Sequence, residues 1–174
     1  PGASAIERFD LSSESYLSTY SGLPDIQSAA WDGGSYVYVH HQSSNITRIT
    51  VSSGAHTSIS GSWTNTSLGG TSPLWHDGRM WSFLGGYWKV FDPSVPDLTT
   101  TGPGVGSYTN QPALGADGDI HAVSEVAGVP HICSIRPSDM SYRSDTLSTS
   151  TATTTTVVAA NGMLWSPARE PLIR

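Results

Sequence analysis

Acidic side chains are the first place to look for chemistry, because hydrolysis of a glycosidic bond needs two carboxylates acting as acid and as base or nucleophile. Aspartates in Asp-Gly turns, and Asp10 and Asp92 after predicted strands, have structural roles. The other acidic residues show no spacing that selects a pair: Glu7, Glu14, Asp25, Asp97, Asp119, Glu125, Asp139, Asp145 and Glu170. No Gly-x-Ser-x-Gly elbow occurs. We therefore predict no catalytic residues and rank a polysaccharide hydrolase lowest among the candidate functions.

Histidine and cysteine give no metal or redox pattern. The six histidines lack helical metal-ligand spacing, and adjacent His40 and His41 point to opposite faces of a strand. The single cysteine, Cys133, excludes an internal disulfide and a cysteine-rich zinc site. It lies in a predicted strand, where we expect a buried, inert thiol. The sequence predicts neither a metal nor a cofactor.

Tryptophan is abundant, with six residues in the chain. Four flank turn dipeptides, where large rings would pack between sheets: Trp31, Trp75, Trp81 and Trp165. Trp63 and Trp88 lie outside those segments, and Tyr87 precedes Trp88. We predict that Trp63, Tyr87 and Trp88 are the ligand or interface candidates.

Charge and composition limit the classes of partner that the chain is expected to bind. The 174 residues carry a net charge of −6, with 8 Lys+Arg, of which only Lys89 is lysine. Without basic patches, binding of nucleic acid is not expected. No apolar run approaches the roughly 20 residues of a membrane span. The 28 Ser, 18 Thr and 18 Gly argue against a helical bundle and suit an extracellular or virion surface.

Four turn dipeptides recur along the chain: Asp32-Gly33, Asp77-Gly78, Asp117-Gly118 and Asn161-Gly162. They are separated by 45, 40 and 44 residues, and a ring side chain follows the Asp or Asn at its fourth position each time (Tyr36, Trp81, His121 and Trp165). Such dipeptides favour positive φ at both central positions of a type I′ turn. Each is predicted to join two antiparallel strands.

A second pattern repeats in the same units. Phe9, Ile49, Phe91 and Ile135 lie in short strand-like segments, and seven residues later come Tyr16, His56, Leu98 and Tyr142. Turn residues lie between the two positions of each pair, and Ser/Thr-rich stretches suited to an outer strand follow.

Each unit thus holds about four strands in about 43 residues, the size of a propeller blade. We predict an all-β, four-bladed β-propeller in a single domain, 1–174. Its blades are residues 26–68, 69–110 and 111–155, and a composite of 1–25 with 156–174. Pairing of the N- and C-terminal segments would close the ring and remove its exposed edges. The alternatives are a part of a larger propeller, or two chains that share one ring.

The segment His76–Gly86, followed by Val90-Phe91-Asp92-Pro93, resembles a kelch repeat, with its turn, aromatic strand, double glycine and Phe-Asp-Pro corner. The double glycine occurs in one unit only. A hemopexin-like, four-bladed propeller is the second resemblance, carried by residues 85–92, Gly-Gly-Tyr-Trp-Lys-Val-Phe-Asp. That family's usual cysteine pair is missing. Both resemblances imply a propeller.

The function that we predict is a rigid, non-catalytic binding or structural module. Few lysines, many Ser and Thr residues and compact repeats suit a virion surface or tail-associated protein of a bacteriophage, docked onto other proteins in a symmetric assembly. The alternative is a secreted carbohydrate-binding propeller, so a glycan is the second class of partner.

Overall fold

The computed structural model describes residues 3–41, 45–60, 73–95, 97–102, 104, 111–127, 129–146, 158–160 and 163–165. The chain divides into two compact units, unit 1 (Pro1–Gly70) and unit 2 (Thr71–Arg174). Every regular element in the described residues is a β-strand. These residues therefore form an all-β fold, and no helix among them could cross a membrane.

The strands of unit 1 are β1 (Ala3–Ile6), β2 (Phe9–Asp10), β3 (Ser15–Tyr16), β4 (Tyr20–Trp31), β5 (Tyr36–His41), β6 (Asn45–Thr50) and β7 (His56–Ser60). Those of unit 2 are β8 (Leu74–His76), β9 (Arg79–Leu84), β10 (Tyr87–Asp92), β11 (Asp97–Thr101), β12 (Ala113–Leu114), β13 (Ile120–Val126), β14 (Val129–Ile135), β15 (Tyr142–Thr146), β16 (Val158–Ala160) and β17 (Met163–Trp165).

All pairings among the described strands are antiparallel, and in the three larger sheets every pair of neighbours is consecutive in the chain except β1 and β4. The strand orders are β1-β4-β5-β6-β7, β11-β10-β9-β8 and β12-β13-β14-β15, and β2-β3 and β16-β17 form two-stranded sheets. The sheets β11-β10-β9-β8 and β12-β13-β14-β15 lie within the predicted blades 69–110 and 111–155. The five-stranded sheet extends beyond the predicted blade 26–68, because β1 precedes residue 26 and β4 begins at Tyr20.

The seven-residue pattern corresponds to a repeated hairpin register. Phe9 pairs with Tyr16, and Ile49 pairs with His56. In unit 2, Phe91 pairs with Leu98, and Ile135 pairs with Tyr142. The constant offset therefore reflects the length of the turn that joins the two paired strands in each of the four sequence repeats.

The four predicted hairpins at the turn dipeptides are present, but they do not share one turn type. Asp77 (φ 50°) and Gly78 (φ 71°) form the expected two-residue turn, because His76 pairs with Arg79. At Asp32-Gly33 four residues separate β4 from β5, and at Asp117-Gly118 five separate β12 from β13. Only the glycine has a positive φ there, so the type I′ prediction is wrong for both.

The fourth dipeptide, Asn161-Gly162, lies outside the described residues. Its flanking strands are described, and Ala160 pairs with Met163 across it.

Aromatic rings fill the core of unit 2. Trp81, Phe83 and Trp88 are fully buried, and the rings of Phe83 and Trp88 meet edge to face with centroids 5.0 Å apart. Cys133 belongs to the same cluster and is a free, fully buried thiol. Burial raises its pKa to about 11, as expected for an unreactive cysteine.

Aliphatic side chains form the core of unit 1. Leu23, Val39 and Ile49 are buried, and Ile6 packs against them. Ile6 lies in β1 and pairs with Tyr20 of β4, which adds β1 to the five-stranded sheet.

Candidate functional site

The turn aspartates act on the backbone. Oδ1 of Asp32 accepts the N–H groups of Gly34 at 2.8 Å and Tyr36 at 3.0 Å. The carboxylate therefore organises the longer loop after Gly33, which explains why an Asp is used there.

A second set of aspartates caps the turns between third and fourth strands. Asp10, Asp92 and Asp139 each accept hydrogen bonds from the backbone N–H and the hydroxyl of the serine two residues later. Hydrogen bonds from Ser12 and Ser13 lower the pKa of Asp10 to about 2. Hydrogen bonds from Ser94 and Ser141 likewise lower the pKa values of Asp92 and Asp139. These carboxylates stabilise turns.

The structure describes two of the three aromatic site candidates, and they differ in exposure. Trp88 is fully buried beside Phe83, so its ring offers no face to a ligand from solvent. Tyr87 is 44% exposed, and its ring lies against Gly104. Trp63 lies outside the described residues. Of the two candidates that the structure describes, Tyr87 is therefore the one whose ring is accessible.

Each unit exposes five large apolar side chains among its described residues, and in unit 1 four of them lie on one hairpin. Trp31, predicted to fill a core, is 60% exposed, and its Nε1–H donates to the Gly34 carbonyl at 3.0 Å. The packing prediction for Trp31 is wrong because this residue ends β4 next to a loop. On the β2-β3 hairpin, Phe9, Leu11, Tyr16 and Leu17 are all exposed. We call these four residues the apolar hairpin.

A polar cavity of about 300 Å³ lies in unit 2. His76 at the end of β8 and Asp77 of the β8-β9 turn line one side. The loop before β13 supplies Asp117, Gly118 and Asp119, and the β14-β15 turn supplies Arg136, Pro137 and Ser138. Its volume is at the lower end of the range for small-molecule sites, about 300–1,000 Å³. We call it the Asp/Arg cavity.

Two arginines hold the acidic loop of this cavity. Nε of Arg136 lies 3.4 Å from Oδ1 of Asp119, and a guanidinium nitrogen of Arg143 lies 3.7 Å from Oδ2 of Asp119. Asp119 is 8% exposed, so its charge is buried beside two cations. Both separations exceed the roughly 2.7–2.9 Å of a strong charge-assisted hydrogen bond. The carboxylate oxygens keep capacity to accept further hydrogen bonds.

Asp117 is linked to the interior through His121. Its Oδ1 lies 3.1 Å from Nε2 of His121, and Nδ1 of that ring lies 2.8 Å from the Ser134 hydroxyl. Partial burial raises the pKa of Asp117, but hydrogen bonds from His121 and the Asp119 N–H outweigh it, and the pKa falls below its usual value. An anionic Asp117 accepts hydrogen bonds well and is poorly suited to donate a proton as a general acid.

Unit 1 has a smaller cavity of about 190 Å³, lined in part by His41, Asn45, Thr47 and His56. Nδ1 of His41 lies 2.5 Å from the Pro24 carbonyl, and Nε2 lies 2.7 Å from the Thr47 hydroxyl. Both ring nitrogens thus bridge neighbouring strands, and His41 has a structural role. Within the described ranges, no group of three His, Cys, Asp or Glu side chains is arranged to hold a metal ion.

The sequence alone does not identify the lining of the Asp/Arg cavity as a site. It explains Asp77, Asp117 and Gly118 as turn residues, and it gives no partner for Asp119 and no role for Arg136. The positions lie on three separate hairpins, and the only sequence clue was the Asp-Gly-Asp run at residues 117–119.

The fold is similar to known propeller-like structures. A quinonprotein alcohol dehydrogenase-like protein from Bacteroides thetaiotaomicron matches with a TM-score of 0.68 and 14% identity, over 93% of this chain and 43% of that one. Virginiamycin B lyase from Staphylococcus aureus matches with a TM-score of 0.65 and 18% identity, over 94% and 56%. Hydrazine synthase from Kuenenia stuttgartiensis matches with 0.59 and 11%, over 82% and 43%.

These likenesses support a propeller-like, all-β fold and concern the fold alone. The chain spans about half the length of the structures that it matches. No protein-family model and no curated protein sequence matches it. The kelch-like and hemopexin-like resemblances remain expectations.

Proposed function

We propose that this chain is a rigid, non-catalytic binding module that docks onto protein partners, in a symmetric assembly at the virion surface or tail of a bacteriophage. The observation that carries the proposal is the apolar hairpin. Leu11 is 85% exposed, Tyr16 is 74% exposed, and the rings of Phe9 and Tyr16 lie edge to face with centroids 5.0 Å apart. Exposed apolar groups held in a fixed arrangement are typical of protein interfaces.

Rigidity is supported by the turns that present this surface. Asp10 accepts the N–H and hydroxyl of Ser12, and the Leu17 N–H donates to the Arg8 carbonyl at 2.8 Å. The guanidinium of Arg8 lies 4.4 Å from the ring centre of Tyr20. Because the hairpin is organised before binding, little conformational entropy is lost when a partner covers it.

The docking test replaces Leu11 and Tyr16 together by Ser. The matched control is Val95→Ser, because Val95 is 65% exposed in the corresponding turn of the β10-β11 hairpin. We expect the unaltered chain to self-associate in sedimentation velocity, and the double variant to need at least about tenfold higher concentration to do so. A monomer at every concentration, or equal association by the double variant, rejects docking of this chain onto copies of itself through the apolar hairpin.

Placement on a virion has a separate test. Mass spectrometry and cryo-electron microscopy of purified phage particles should find the chain in symmetric copies. If cells that produce the chain release phage particles without it, the virion part of the proposal is wrong. The docking surface is then tested by sedimentation alone.

We further propose that the chain forms a closed ring of four blades, in which the β16-β17 hairpin pairs with the β2-β3 hairpin. This pairing covers Phe9, whose counterparts Phe91 and Ile135 are buried, and leaves Leu11 and Tyr16 for a partner. The support is the register of the two four-stranded sheets of unit 2. Phe91 pairs with Met80, the residue before Trp81, and Ile135 pairs with Ile120, the residue before His121. Transfer of this register places Phe9 opposite Leu164, the residue before Trp165.

Ring closure is tested with a disulfide between strands. Phe9→Cys and Leu164→Cys, combined with Cys133→Ser, should oxidise to an intramolecular bond, because directly paired residues have the Cα separation that disulfides need. Phe9→Cys with Met163→Cys is the control, since a neighbouring residue faces the opposite side of the strand. Disulfide-linked dimers would favour two chains that share a ring, and free thiols would favour part of a larger propeller; either rejects closure within one chain.

Glycan binding is the second candidate function. It is favoured by the exposed ring of Tyr87 and by the polar lining of the Asp/Arg cavity. A glycan array, followed by titration of tryptophan fluorescence, separates this function from protein docking, which needs the apolar hairpin.

A further inference from the structure

We infer that the Asp/Arg cavity of unit 2 binds a neutral, polyhydroxylated ligand, a sugar unit of a glycan. The inference rests on the second proposed function and assigns a site to it. That site differs from the aromatic candidates Trp63, Tyr87 and Trp88.

The mixture of charges in the cavity favours a neutral ligand. Three carboxylates, of Asp77, Asp117 and Asp119, line it together with the guanidinium of Arg136. An anion would meet the carboxylates, and a cation would meet Arg136 and, beside Asp119, Arg143. A hydroxyl group both donates and accepts, so adjacent hydroxyls satisfy a carboxylate and a guanidinium together.

The carboxylate of Asp119 offers directional hydrogen-bond acceptors to a ligand in the cavity. Its carboxylate is buried, yet its partners Arg136 and Arg143 lie at 3.4 and 3.7 Å. A carboxylate has about four lone-pair positions. Hydroxyl donors at about 2.5–2.7 Å would use acceptor capacity that these long ion pairs leave available.

The frame around the cavity is rigid. The type I′ turn holds Asp77, and the Asp117 carboxylate accepts the Asp119 N–H at 3.1 Å. The backbone of Arg136 is held in the β14-β15 turn, since its N–H donates to the Ser141 carbonyl at 2.8 Å, and its side chain pairs with Asp119. A preorganised site of this kind loses little entropy when it binds a small ligand.

The test is saturation-transfer NMR of the full chain with neutral monosaccharides and their disaccharides, including glucose, galactose, mannose and N-acetylglucosamine. At least one sugar should bind, and Asp119→Asn and Arg136→Gln should each weaken it at least tenfold. Asp145→Asn is the control, because Asp145 lies 3.9 Å from the same Arg143 but does not line the cavity. Thermal unfolding establishes that each variant is folded.

Should Asp119→Asn fail to fold, Asp77→Asn replaces it, since Asn-Gly supports the same turn and removes the charge. Absence of binding by every sugar at millimolar concentration overturns the inference. The inference is also overturned if binding survives in the cavity variants but is lost in Tyr87→Ser. That result would support glycan binding at Tyr87 and not in the Asp/Arg cavity. Self-association through the apolar hairpin is measured independently of all these outcomes.

Discussion

The core cluster of unit 2 is rich in aromatic rings, whereas the core cluster of unit 1 is aliphatic and its β2-β3 hairpin exposes two rings. Trp81, Phe83 and Trp88 are fully buried in unit 2, while Phe9 and Tyr16 of unit 1 are 47% and 74% exposed. Exposure alone does not separate the units, since Tyr87 and Tyr142 of unit 2 are 44% and 48% exposed. The difference is that aromatic residues build the core of unit 2 and aliphatic residues build that of unit 1.

The largest expected effect compares two tryptophans. Trp81→Ala should lower the free energy of unfolding by about 3–5 kcal/mol, because it removes a fully buried ring whose Nε1–H donates to the His76 carbonyl at 2.9 Å. Trp31→Ala should cost less than about 1 kcal/mol, because most of that ring is exposed. Urea denaturation measures both. Equal costs would contradict the comparison between the units.

Two glycines give the next effect. Gly54 has φ 72°, and a Cβ there would lie 2.8 Å from Cε1 of Tyr20, whose hydroxyl donates to the Val51 carbonyl at 2.5 Å. Gly78 has φ 71° with open space around it. Gly54→Ala should therefore cost about 2–4 kcal/mol and Gly78→Ala about 1–2 kcal/mol.

Thermal or urea unfolding of these two alanine variants measures the difference in stability that they lose. If both lose the same stability, Tyr20 moves freely, and the packing that we describe around it in unit 1 is incorrect.

The smallest effect concerns acid stability at the turns. The folded-state pKa of Asp10 is about 2, below its ordinary 3.8, so its contribution to stability is present above about pH 4 and is lost as pH falls towards 2. Asp92 behaves in the same direction. Asp10→Asn should therefore flatten the pH dependence of unfolding in that range.

NMR titration measures the cause of this dependence. Ser12→Ala removes one of the donors and should raise the pKa of Asp10 towards 3.8, while the pKa of Asp92 in the other unit stays unchanged. A Ser12→Ala variant in which the pKa of Asp10 also stays unchanged would assign the shift to another source.

Much of the local structure was predictable from sequence. The seven-residue offset from Phe91 to Leu98 is a hairpin register, and it depends only on a short turn with Asp, Pro and Ser. The type I′ prediction succeeded at Asp77-Gly78 and failed at Asp32-Gly33, where the carboxylate binds the N–H groups of Gly34 and Tyr36 instead. Local competition for hydrogen bonds decided between the two turns.

The candidate site was less predictable than the fold. Trp31 was expected to pack in a core and is exposed, whereas Trp88 was expected at a ligand or interface surface and is buried. Burial depends on what packs against a strand and not on the strand's own pattern. Arg136 and Asp119 are 17 positions apart on different hairpins, and no repeat in the sequence relates them.

The sequence by itself determined the strands, their antiparallel hairpins and the all-β class, because these follow from turn chemistry and side-chain alternation over a few residues. The tertiary structure alone decided which aromatic rings are buried and which charges meet. Those outcomes depend on contacts between residues far apart in the chain, such as Phe83 with Ile135 in one core cluster, or Asp119 with Arg143 beside the cavity.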